Sequence, residues 1–172
     1  AHGNEIKSEE TITIEVFKPV IDKTSLWITN WFYLDKLFRM NNGKPVESHS
    51  ELYWVLVREL AKSMAEYRQN VAMISPFDHT EFTLKGDKWS FDFTNYNKMV
   101  KLFEEEGVIG KLEGGHLGKR MVPGWANPYG LFVPKWQNDS VYKEVLPIDS
   151  SRTRKFYKQF LPALHKNLKK NG

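Results

Sequence analysis

The chain has 172 residues, enough for one domain with a real core, and it holds no cysteine, which excludes disulfides and thiolate chemistry. No apolar run reaches the roughly 18 residues of a membrane span, so no membrane partner is expected. The net charge of +4 is unaccompanied by any nucleic-acid-binding module, and Lys166, Lys169 and Lys170 suit the end of a helix, so nucleic acid is not expected either. The aromatic share of 14% points to an aromatic-rich core or to a surface that stacks on flat rings. The first residues do not read as a signal peptide, and the start Ala-His-Gly is what a trimmed piece would be expected to show.

Residues 1–9 are polar and expected to be loose. Residues 11–17 alternate, with Ile12, Ile14 and Val16 on one side, which predicts a half-exposed strand. A connector with Pro19 leads to 25–33, apolar on both faces like a strand inside a parallel sheet. Residues 34–45 read as a loop with a short helical turn. The clearest helix covers 48–69, with Ser48 and Glu51 as a capping box and Leu52, Leu56, Leu60 and Met64 as its apolar stripe, Tyr53 and Val57 beside it. A short buried strand at 71–74 ends in Ser75-Pro76, and Asp78 and His79 come directly after.

Residues 80–94 predict a hairpin turning at Gly86-Asp87, with Trp89, Phe91 and Phe93 at period two. A second helix covers 95–106, with Gly107 as its cap and Glu104, Glu105 and Glu106 as a solvated end. The stretch 109–120 reads as a short strand running into a glycine-rich turn that carries Glu113, His116 and Arg120. Residues 121–146, with three prolines, predict a long irregular loop, and loops of that length are usually functional. The last helix covers 151–171, capped by Asp149 or Ser150, with Phe156, Phe160, Leu164 and Leu168 inward and Pro162 as a kink or step.

This order predicts an α/β fold: a partial (β/α)8 TIM-type barrel of about three β/α units, preceded by a strand and carrying a β-hairpin insertion. The expected division is an N-terminal strand and linker at 1–24 and the N-terminal half of a barrel at 25–172. Three units do not close a barrel, so the open sheet edge calls for the rest of its own barrel or a partner chain.

Three segments carry a resemblance: Leu26-Trp27-Ile28-Thr29-Asn30-Trp31, Phe91-Asp92-Phe93-Thr94-Asn95-Tyr96 and Glu113-Gly114-Gly115-His116-Leu117-Gly118. Together with the closing helix, Phe160-Leu161-Pro162-Ala163-Leu164 through Lys170-Asn171-Gly172, they are similar to the glycoside hydrolases of family 123 over about residues 11–172. The resemblance implies a (β/α)8 barrel, often behind an N-terminal β-sandwich. It implies hydrolysis of a terminal β-linked N-acetylhexosamine, N-acetylgalactosamine favoured, with the 2-acetamido group as internal nucleophile. It implies an Asp-Glu dipeptide after the fourth strand. No Asp here is followed by Glu, so no catalytic residue is assigned, and the isolated chain is expected to be inactive. Work on external glycans implies an extracellular or periplasmic, bacterial setting.

Strand ends in such folds face one mouth, which makes Asn30, Trp31, Asp78, His79, Glu113, His116 and Arg120, with the loop-borne Trp125, the candidate substrate-binding residues. Trp136 is a further loop-borne stacking candidate. Carboxylates and Arg suit sugar hydroxyls, and a Trp face suits a pyranose ring. Asp78, His79, Glu113 and His116 also compose a possible zinc or manganese set, but they lack helical spacing, and no metal or other cofactor is expected. No Gly-x-Ser-x-Gly elbow is present for a serine hydrolase. A glycan is therefore the expected partner. The alternative is a non-catalytic carbohydrate-binding or assembly module on a partial barrel.

Overall fold

The computed structural model describes residues 10–17, 26–137 and 140–171. Residue 25 and the segments 1–9 and 18–24 lie outside the described residues. Residues 11–17 join no sheet, and Ile12, Ile14 and Val16 are exposed, so the expected first strand is not formed. Alternation alone holds no strand without a neighbouring ladder to satisfy its amides. Residues 26–33 are likewise not a ladder strand. They are tied to Gln69 and Asn70 largely by side-chain bonds: Asn70 Oδ1 accepts from the Ile28 amide at 2.7 Å, Asn70 Nδ2 donates to the Leu26 carbonyl at 2.9 Å, and Gln69 Nε2 donates to the Asn30 carbonyl at 3.1 Å.

A 3-10 helix, Leu34–Asn41, leads to helix α1, Glu51–Glu66. The cap is Ser50, whose hydroxyl accepts from the Tyr53 amide at 3.2 Å, and not Ser48. The buried face shifts accordingly to Tyr53, Val57, Ala61 and Met64, leaving Leu52 exposed. Strand β1, Val71–Met73, comes next, then the expected hairpin of β2, Glu81–Lys85, and β3, Lys88–Asp92. Helix α2, Thr94–Glu105, buries Tyr96, Met99, Leu102 and Phe103 and ends at Gly107, whose φ of +78° is the left-handed turn glycine permits. Its terminal glutamates are not simply solvated, since Glu105 and Glu106 both pair with Arg58 of α1.

Strand β4, Lys111–Glu113, pairs in parallel with β1, Ala72 opposite Leu112. The chain then departs from expectation. β5, Gly118–Arg120, β6, Tyr129–Gln137, and β7, Ser140–Pro147, form an antiparallel sheet in that order, in place of one irregular loop over 121–146. The prolines fit without loss. The Phe132 amide donates to Leu117 on the β5 side, and Pro134 faces the same side beyond the end of β5, where no ladder bond is forgone. Pro147 closes the edge strand β7.

Helix α3, Ser151–Asn171, is capped by Ser150 and runs on through Pro162. Phe156 and Phe160, both 0% exposed, enter a ring cluster with Phe77, Phe82 and Phe91 at centroid distances of 4.8 to 6.3 Å. Gln159 fixes the register of α3 against the hairpin, accepting from the Trp89 amide at 2.9 Å and donating to the Asp87 carbonyl at 3.2 Å. The class is therefore mixed α/β with one parallel pair and two antiparallel sheets, and no closed barrel exists among the described residues.

Candidate functional site

The parallel pair continues one bond past its ladder, as the Ile74 amide donates to the Glu113 carbonyl at 2.8 Å. Both strands then turn outward at their C-terminal ends. From β1 come Ser75, Asp78 and His79. From β4 comes the Gly114-Gly115-His116 turn. Gly115 has a φ of +68°, the left-handed conformation that glycine adopts without strain, and this turn brings it against Ser75. Between them, Phe32–Leu34, the 3-10 helix and the β6–β7 hairpin lies a cleft of about 820 Å³. That is the size of a small-molecule site.

The charged or imidazole groups that line the cleft are Asp35, His49, Asp78, His79, His116 and Lys143. His79 is 7% exposed, and its Nδ1 lies 3.2 Å from Nε2 of His49, so one ring donates and the other accepts. Burial, with a smaller contribution from His49, pushes His79 down to about 4. His49 is also lowered, first by burial and then by Lys98, with Glu81 opposing. Both rings are therefore neutral near pH 7. Asp78 pairs with Lys143 of β7, whose Nζ also lies 5.3 Å from the Phe132 ring centre and 5.8 Å from that of Phe77. Burial lowers Lys143 from its ordinary value. Tyr53 forms part of the wall, its hydroxyl pushed up to about 12 by burial. The Ser75 hydroxyl is buried with no hydrogen-bond partner among the described residues.

The residues expected from sequence divide into two groups. Asp78, His79 and His116 line the cleft, and Trp31 meets the His116 ring edge-on at 5.3 Å and 87°. Trp31 itself and the other four stand outside its lining. Asn30 is exposed and gives its carbonyl to Gln69. Glu113 ends β4. Arg120, on β5, donates to the Asn127 carbonyl at 2.9 Å and covers the Trp125 ring at 5.0 Å, with Trp125 itself 89% exposed. Trp136 lies in strand β6, exposed, not in a loop. Among the described residues no three His, Asp or Glu side chains converge as metal ligands do, so the set Asp78, His79, Glu113 and His116 is not gathered.

Sequence reasoning passes over His49, Lys143 and Ser75. His49 announces itself only by preceding a Ser-Glu helix start, and Lys143 sits in the segment that reads as loop. The cleft brings together three imidazoles, a buried hydroxyl, the Asp78–Lys143 pair, the Asp35 carboxylate and several aromatic rings.

A comparison with curated proteins gives no match. The family model described as glycoside hydrolase 123, catalytic domain, matches residues 31–172, which include every cleft-lining residue named above. With most of its length matched, this chain belongs to the glycoside hydrolase 123 family.

Proposed function

We propose that the cleft holds the sugar of a terminal β-linked N-acetylhexosamine, N-acetylgalactosamine favoured, in a glycoside hydrolase that works by substrate-assisted retention. The observation that carries this reading is the gathering of His49, His79, the Asp78–Lys143 pair and the Trp31–His116 corner around one cleft of about 820 Å³ at the C-terminal ends of a parallel strand pair. A pyranose offers hydroxyls to the polar groups and an apolar face to the rings.

In the proposed reaction the acetamido oxygen attacks the anomeric carbon as the glycosidic C–O bond breaks. A Glu acid delivers its proton to the leaving oxygen, and an Asp orients the acetamido group. Water then opens the cyclic intermediate with retention. No Asp in these 172 residues is followed by Glu. The Asp-Glu pair is therefore proposed to lie outside them, on further barrel strands that extend the two-stranded parallel pair. Exposed Trp27, whose ring lies against Gly110 and under Lys111 at the start of β4, suits such a cover.

Calorimetric titration of the 172-residue chain with N-acetylgalactosamine, N-acetylglucosamine and galactose tests the binding half. Both acetamido sugars should bind, N-acetylgalactosamine more tightly, and Asp78→Asn should weaken them. Failure of both acetamido sugars to bind would overturn the sugar reading. The catalytic half is tested with a chromogenic N-acetyl-β-galactosaminide. The chain alone should release no chromophore above the buffer rate, and clear turnover would show that the acid lies within it.

A further inference from the structure

The β6–β7 ladder runs without a bulge from Gly130 opposite Pro147 to Gln137 opposite Ser140. Side chains on such a strand alternate between its two faces, and directly opposed residues share a face. One face therefore carries Phe132 and Val145, then Pro134 and Lys143, then Trp136 and Val141. Phe132 and Lys143 line the cleft, and Lys143 reaches from this face to Asp78. Trp136 and Val141 come two residues further along the hairpin, about 7 Å beyond Lys143 on the scale of strand rise. They sit outside the lining, at its rim, and are 46% and 39% exposed. Among the described residues no other ring and no cation lies over the Trp136 indole. The opposite face of the hairpin is occupied, since Val133 is buried and Glu144 accepts from Arg152 of α3 at 2.7 Å. Trp125 is more exposed but lacks this continuity with the cleft, as it lies in the β5–β6 connection under Arg120.

We propose that Trp136, with Val141 beside it, forms a second sugar subsite: a platform for the unit joined to the terminal N-acetylhexosamine through the bond to be cleaved. The proposal rests on the sugar reading of the cleft. A terminal sugar carries the rest of its glycan on one bond, and that remainder leaves the cleft across the rim. A pyranose such as β-galactose has one face made of C–H groups, which bury well against the negative face of an indole. The indole N–H adds a donor for a hydroxyl at the ring edge. Neither Trp136 nor Val141 carries charge, so the unit they suit is a neutral pyranose and not an acidic sugar.

Calorimetric titration of the 172-residue chain compares a one-sugar ligand, methyl β-N-acetylgalactosaminide, with a β-linked N-acetylgalactosaminyl-galactose disaccharide. The disaccharide should bind about fivefold more tightly, the size of one aromatic contact. Trp136→Ala should remove that advantage, so that the two ligands bind alike, and Trp136→Phe should keep most of it. A native chain that shows no advantage for the disaccharide overturns the proposal even if the variants fail to fold. An advantage that survives in folded Trp136→Ala also overturns it, and so does an equal loss for both ligands, which would assign Trp136 to the support of the first sugar. If Trp136→Ala instead splits a dimer in sedimentation and leaves the advantage in place, the face is an interface between copies and the proposal falls. Failure of both ligands to bind overturns the sugar reading itself, and the second subsite with it.

Discussion

Burial of His79 ties the stability of the chain to pH. Its folded-state value of about 4 lies below the ordinary 6.5, so between the two the unfolded chain holds a proton that the folded chain refuses. The stability at stake is complete above about pH 6.5, declines as pH falls, and is gone once pH passes through about 4, a loss of roughly 3 kcal/mol at most. Urea midpoints at pH 7 and pH 4.5 should therefore separate more widely for the native chain than for His79→Gln, and equal separations would contradict a buried neutral ring. Among single residues, the ones legible in sequence are those a strand delivers. Asp78, His79 and His116 each come after a short apolar run, and strand ends face ligands. Arg120 and Trp125 mislead because the glycine-rich turn runs into a new strand, which carries them to the β5–β6 side. His49 and Lys143 are hidden because their roles depend on partners 30 and 65 positions away in sequence, His79 and Asp78.

Local elements obey their sequence signals closely where the signal is chemical and less closely where it is periodic. The β2–β3 hairpin, α2 with its Gly107 stop, and α3 are all legible, because turn glycines and aromatic alternation act over a few residues. The start of α1 is displaced by two positions, from Ser48 to Ser50, since both serines precede plausible partners. Ser50→Ala should cost about 1 kcal/mol and Ser48→Ala nearly nothing, measured by chemical denaturation. The reverse order would return the cap to Ser48. The β6–β7 hairpin is unreadable for another reason: three prolines mark an irregular chain unless one knows which side of each strand lacks a neighbour. The packing of α3 has its own test. Phe160 is 0% exposed amid rings from the hairpin, so Phe160→Ala should cost about 3–5 kcal/mol. Exposed Leu168, on the same helix and expected inward, should tolerate alanine with little change.

The architecture as a body is one in which neighbours in sequence make the scaffold and strangers in sequence make the cleft. The mixed α/β class is evident from element order, but the extent of the parallel sheet is not, because parallel pairing depends on strands whose partners sequence periodicity does not name. Val71 meets Lys111 across forty positions of chain, whereas Glu81 meets Asp92 across eleven and Gln137 meets Ser140 across three. Closing long loops takes longer and yields its reward later. Both antiparallel hairpins and the three helices are thus expected to gain protection early in refolding, and the β1–β4 pair late. Pulse-labelled hydrogen exchange should find the Ile74 amide, bonded to Glu113, among the last to be shielded, and early protection there would reverse the order. The parallel pair thus has a temporal consequence as well as a spatial one. A chain newly made or newly stressed would carry formed hairpins and helices but no place for a ligand, and a ligand that binds the finished cleft would act as the clamp on its slowest step.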